Sequence, residues 1–91
     1  MEIMFTHPRN SLVYRAEVSN ELKIGQALVA LQASETGPFL APPLAGEQDV
    51  VILERGNKTI PLTMSIGEAG VMAGDVLQIY RNAQGAALVL K

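Results

Sequence analysis

The sequence has no cysteine, no tryptophan and a single histidine. Without cysteine there is no disulfide, no thiolate metal site and no cysteine nucleophile, which fits a reducing compartment. One histidine does not build a histidine-based metal cluster. Aromatic residues number two Phe and two Tyr, so any core must be aliphatic. Charge of one sign is also scarce: the net charge is −2 and no basic run exists, so the electrostatic footprint expected for a nucleic-acid binder is missing. No stretch approaches the 18 or more apolar residues that a spanning helix needs, and the opening "MEIMFTHPRN" does not read as a signal peptide. These absences predict a cytoplasmic protein without membrane insertion. What is present is 91 residues, 48% of them hydrophobic, which argues for one folded domain rather than disorder.

Hydrophobic period divides the chain. "EIMFT" at 2–6 is a short run of strand formers, and "HPRN" at 7–10 punctuates it. "SLVYRAEV" at 11–18 alternates, with Leu12, Tyr14, Ala16 and Val18 on one face and Val13, Arg15 and Glu17 on the other. The period then changes: Ile24, Ala27, Leu28 and Leu31 form one apolar stripe of a helix over 23–34. Neither Ser19 nor Asn20 is well placed to cap it, and Gly25 costs up to about 1 kcal/mol relative to Ala. Residues 34–49 form a connector stiffened by Pro42-Pro43, with Phe39, Leu40 and Leu44 apolar enough to pack on the core. "VVILE" at 50–54 is a strand, "RGNK" a tight turn, and "TIPL" at 59–62 a short edge strand, because Pro61 offers no ladder donor. "SIGEAGVMAGD" at 65–75 reads as one or two helical turns followed by a turn, and "VLQIY" at 76–80 as a last alternating strand. The predicted class is α+β, a mixed four- to five-stranded sheet packed on one helix.

That order resembles the β-grasp order, and the residues resemble the ubiquitin-like family. "MEIMFT" and "VYRAEV" look like its N-terminal hairpin, and "LKIGQALVALQ" looks like the grasped helix. The pattern in "SIGEAGVMAGDVLQIY" looks like the last part of the fold, with Ile66 and Val71 plugging the core, Gly74-Asp75 turning, and Leu77 and Ile79 entering the closing strand. The likeness covers residues 1–82 and is strongest to the small bacterial proteins of the YukD/EsaB type, which accompany type VII secretion. It implies a non-enzymatic protein without cofactors, whose partners are other proteins such as secretion components. One departure stands out. A ubiquitin-like modifier ends in Gly-Gly, whereas this chain ends "RNAQGAALVLK" and runs on through a tail at 83–91.

The candidate sites follow from strand parity. The nine acidic residues are scattered and pair into no evident acid–base set, and His7 beside Pro8 reads as a surface turn residue. Gly67, Gly70 and Gly74 match neither a Walker A loop nor a dinucleotide fingerprint, and read as turn formers. If Val51, Leu53, Leu77 and Ile79 face the helix, the opposite face carries Ile52, Val76, Gln78 and Tyr80, flanked by Arg15, Arg81 and the turn at Pro8-Arg9. The resemblance makes that outer face the expected partner-binding surface. The tail is read three ways: an added strand in cis, strand addition to a partner's sheet, or a segment removed around Gln84, Gly85 and Ala86. Removal would make the protein a covalent modifier, served by a trimming protease and by activating and conjugating enzymes. Self-association through strand edges, with "AALVLK" on the short edge near Pro61, is a further reading.

Overall fold

The computed structural model describes residues 1–33 and 39–83, the side chains of 82 and 83 excepted. Within them the elements are β1 (Glu2–Thr6), β2 (Val13–Glu17), α1 (Ile24–Gln32), β3 (Glu47–Leu53), β4 (Lys58–Ile60) and β5 (Val76–Ala83). The five strands form one mixed sheet in the order β2-β1-β5-β3-β4. β1 and β5 run parallel at its centre, and the other pairs are antiparallel. The expected α+β class, one sheet against one helix, is the architecture found.

Period 2 and period 3.6 converge on one core. Ile24, Ala27, Leu28 and Leu31 of α1 are buried together with Ile3, Phe5, Val51, Leu53, Leu77 and Ile79 from the inner face of the sheet. Ile66, Ala69 and Val71 of the 65–75 segment and Leu40 of the connector complete this core. The fully buried side chains are aliphatic except Phe5, as the scarcity of aromatics requires. Leu40 also donates its N–H to Leu31 O at 3.2 Å, satisfying a carbonyl in the last turn of α1. Phe39 is half-buried, but Leu44 is exposed, against the expectation that it packs down.

The start of α1 explains why the sequence offers no clear cap. Its first amides are satisfied by another segment: Ile24 N–H donates to Met64 O at 3.0 Å and Gly25 N–H to Leu62 O at 2.9 Å. Gln26 reaches back to accept the Lys23 N–H at 3.0 Å, which is one half of a capping box. Glycine at 25 permits this approach, since a Cβ there would sit 3.3 Å from Leu62 O. Its propensity cost is therefore tied to the docking of the helix N-terminus on residues 62–64.

Several segments differ from expectation, β2 and β4 by one or two residues at their ends. α1 ends at Gln32, short of residue 34. β3 and β5 are longer than predicted, because Glu47–Asp49 pairs with Arg81–Ala83. Residues 65–75 hold no helix. Ser65 and Glu68 bond reciprocally, with Glu68 N–H to Ser65 Oγ and Ser65 N–H to Glu68 Oε1, both at 3.1 Å. Ala69 N–H then closes one turn on Ser65 O at 2.9 Å, and the chain leaves through turns instead of continuing. The "RGNK" turn behaves as expected, with Gly56 and Asn57 both at positive φ.

Candidate functional site

The outer face of the sheet can be written row by row from the register. One row runs Val13–Thr6–Gln78–Ile52–Thr59 across all five strands. The next runs Arg15–Met4–Val76, and Tyr80 lies opposite Val50. Met4, Val50, Ile52 and Val76 are half-buried although no described element covers this face. Tyr80 is 45% exposed and Val13 54%. Gln78 sits at the centre with both ends of its amide in use: it donates to Glu54 Oε2 at 3.3 Å and accepts from Tyr80 Oη at 3.1 Å. The one strongly polar group in the middle of the apolar face is thereby spent within the chain.

Four of the five expected surface residues, Ile52, Val76, Gln78 and Tyr80, come together as parity requires. Arg81 does not. It shares parity with Leu77 and Ile79, so its side chain turns to the helix side of the sheet. There Arg81 Nε donates to Asp49 Oδ1 at 2.7 Å, directly across the β3–β5 pair, and another guanidinium nitrogen donates to Ala41 O. Both side chains are largely enclosed, at 8% and 6% exposure. Asp49 stands in the sequence among the scattered carboxylates expected at the solvated surface, whereas here it is enclosed and paired; its parity with Val51 and Leu53 was a usable signal. The other residues singled out, Gln84, Gly85 and Ala86, lie outside the described residues, as does "AALVLK".

A second charged cluster buttresses the start of β5. Arg55 Nη2 donates to Asp75 Oδ2 at 3.0 Å and to Gly70 O at 2.9 Å, and its Nε donates to Asp75 Oδ1 at 3.2 Å. Asp75 also accepts the Met72 N–H at 2.8 Å, fixing the "MAGD" turn, and its own carbonyl accepts the Met4 N–H at 3.0 Å. The cluster thus ties the β3–β4 turn to the junction of β1 with β5. The Arg55 guanidinium, with the Met72 N–H, holds the Asp75 carboxyl below the usual range, against the opposing effect of burial. The Ser65 N–H and hydroxyl hold Glu68 below it as well. Both groups bind protons less readily folded than unfolded. Their stabilisation is complete above the unfolded carboxylate value near 4, and it is lost as pH falls through the lower folded values. Asp75→Asn should flatten the decline of stability between about pH 5 and pH 2, measured as denaturant midpoints along a pH series. An acid limb identical to that of the wild type would contradict this assignment.

His7 is a turn residue, as expected: its Nδ1 accepts the Arg9 N–H at 3.1 Å, and its ring meets Phe39 edge-on at 5.5 Å. Among the described residues no group of three or more His, Asp or Glu could hold a metal ion. No helix among them is long and apolar enough to cross a membrane. A depression of about 440 Å³ lies open between α1 and β3, and its one charged lining residue, Asp49, is engaged by Arg81. A groove of about 320 Å³ runs between β2 and α1, lined mainly by Ala16, Val18, Leu22, Ala27, Ala30 and Leu31. Neither depression gathers a cluster of free charged groups, whereas the outer face sets Met4, Val50, Ile52, Val76 and Tyr80 side by side on one sheet surface.

No protein-family model matches the chain, and no curated protein matches it by sequence. In fold it is similar to one chain of the solved structure "Toluene 4 monooxygenase HD Complex with Inhibitor 4-Bromobenzoate", with a TM-score of 0.65 at 19% identity. The likeness spans 89% of this chain and 96% of that one, so it covers nearly all of both folds.

Proposed function

We propose that this protein is a ubiquitin-like β-grasp domain that works without catalysis, by docking other proteins on the outer face of its sheet. The observation that carries the reading is the contiguous apolar surface of Met4, Val50, Ile52, Val76 and Tyr80 around a Gln78 whose polar ends are already satisfied. A surface of that kind marks an interaction site more often than isolated exposed apolar residues do. The amphipathic ring of Tyr80 is of the type enriched at interface centres. Element order and the "GVMAGDVLQI" segment support the ubiquitin-like assignment and its likeness to YukD/EsaB-type accessory proteins. The structural likeness to a chain of the toluene 4-monooxygenase HD complex supports the fold. It brings neither a role nor a substrate to this chain.

The test is a variant that changes the face and spares the core. Ile52→Glu with Val76→Glu places two carboxylates in the surface and leaves the inner face untouched. The variant should fold with a thermal midpoint within a few degrees of wild type, consistent with a ΔΔG of about 1 kcal/mol or less. It should also lose at least about tenfold in affinity for the protein that co-purifies with wild type from its native cells. A folded variant that keeps its partner would overturn the reading.

A further inference from the structure

The sheet has two edges, and they are built differently. β4 offers three residues and is followed at once by Pro61, which has no N–H to give. β2 offers five residues, and among the described residues no strand pairs with its outer side. The bonds that flank the hairpin ladder fix which groups are free. His7 N–H donates to Leu12 O, and Met1 and Val18 exchange bonds in both directions. Residues 12, 14, 16 and 18 therefore turn their backbone groups toward β1, and Val13, Arg15 and Glu17 turn theirs outward.

The charges on this edge are complementary to themselves. Arg9, Arg55 and Arg81 are each paired with a carboxylate, while Arg15 has no carboxylate within ion-pair distance among the described residues. Glu17, two positions along on the same face, meets the N-terminal amine at 3.0 Å but stays 78% exposed. Three antiparallel two-fold registers set two or more of these outward residues of each copy opposite one another. One sets Arg15 against Arg15 of the second copy, which is repulsive. Another sets Arg15 against Val13 and leaves both charges unanswered. The third sets Arg15 against Glu17 and Glu17 against Arg15, with Ala16 facing Ala16 on the axis. On the helix side this last register lays each Tyr14 over Val18 of the other copy, at the mouth of the groove between β2 and α1.

We propose that the partner of the β2 edge is a second copy of this chain, joined in the register that pairs Arg15 with Glu17 and continues the sheet across the two-fold axis. Self-association here uses an edge other than the one near Pro61 and does not involve the tail. Five residues a side make a small interface, below the roughly 1,200 Å² of stable complexes, so the dimer is weak and dynamic. The continued sheet sets two outer faces side by side, which would double the valency of a docking surface. The proposal stands or falls independently of what binds that surface.

Sedimentation velocity of the full chain over a concentration series tests it. Wild type should associate to a dimer whose dissociation constant rises with salt. Arg15→Glu alone and Glu17→Arg alone each turn two attractive cross-strand pairs into two repulsive ones, and each should weaken the dimer about tenfold or more. An equimolar mixture of the two variants should form a heterodimer, and the double variant R15E/E17R should dimerise like wild type. Thermal midpoints of all variants report whether the fold is intact. A wild type that stays monomeric to its highest soluble concentration, single variants that dimerise like wild type, or a mixture that fails to associate would each overturn the proposal.

Discussion

Phe5→Ala is expected to cost about 3–5 kcal/mol. Phe5 is 1% exposed and is the largest of the fully buried side chains. It sits on β1 between Tyr14 of β2 and Leu77 of β5, where the two central parallel strands meet. Truncation removes the apolar surface of the ring and leaves a cavity into which the packed core relaxes only partly. Domains of this size are stable by about 5–15 kcal/mol in total, so the loss takes a large share of the whole. Urea titration should show a lower midpoint with an unchanged slope. Tyr80→Ala, on the other face of the same sheet, should cost about 1 kcal/mol or less. Comparable losses at the two positions would contradict the division into a packed inner face and a working outer one.

Removing Arg81 is expected to cost about 3 kcal/mol, because it strands the Asp49 carboxylate in an enclosed place and takes a donor from Ala41 O. Arg81→Met should therefore be nearly as damaging as a core truncation. The double variant Arg81→Met with Asp49→Leu should recover most of the loss, since an apolar pair of similar volume carries no desolvation cost. A double-mutant cycle by denaturant unfolding gives the coupling directly. Additive losses would mean that the two side chains do not depend on each other. The position of the pair gives the experiment a wider meaning. It lies where β3 and β5 extend beyond β1 and reaches across to Ala41, so it fastens the connector to the sheet.

The strands and the helix stripe were legible because each rests on a single local period. Ile24, Ala27, Leu28 and Leu31 had to share a face whatever the tertiary fold, and Val51, Leu53, Leu77 and Ile79 had to oppose Ile52, Val76, Gln78 and Tyr80. The same rule places Arg81 inward, and expecting it among the outer residues let its charge outweigh its parity. Features that depend on partners distant in sequence were not legible. The first turn of α1 is satisfied by Leu62 and Met64, nearly forty residues away, so no local cap announces it. Arg55 and Asp75 are 20 residues apart, and neither spacing nor period connects them. "SIGEAGVMAGD" carries a real capping pair in Ser65 and Glu68, but its glycines let the chain depart after one turn, and propensity alone does not decide that outcome.

The central claim is that the protein acts by non-covalent docking through the outer face of its sheet. The most direct measurement is a photo-crosslinking scan in the native cells. A photoreactive residue is placed in turn at Tyr80, at Ile52 and, as a helix-side control, at the exposed Val29. The account predicts the same adduct from Tyr80 and Ile52, none from Val29, and a single full-length band on denaturing gels without irradiation. Adducts from Val29 but not from the outer face would contradict the docking surface. A ladder of adducts that survives denaturation without irradiation would contradict non-covalent action and mark the chain as a modifier.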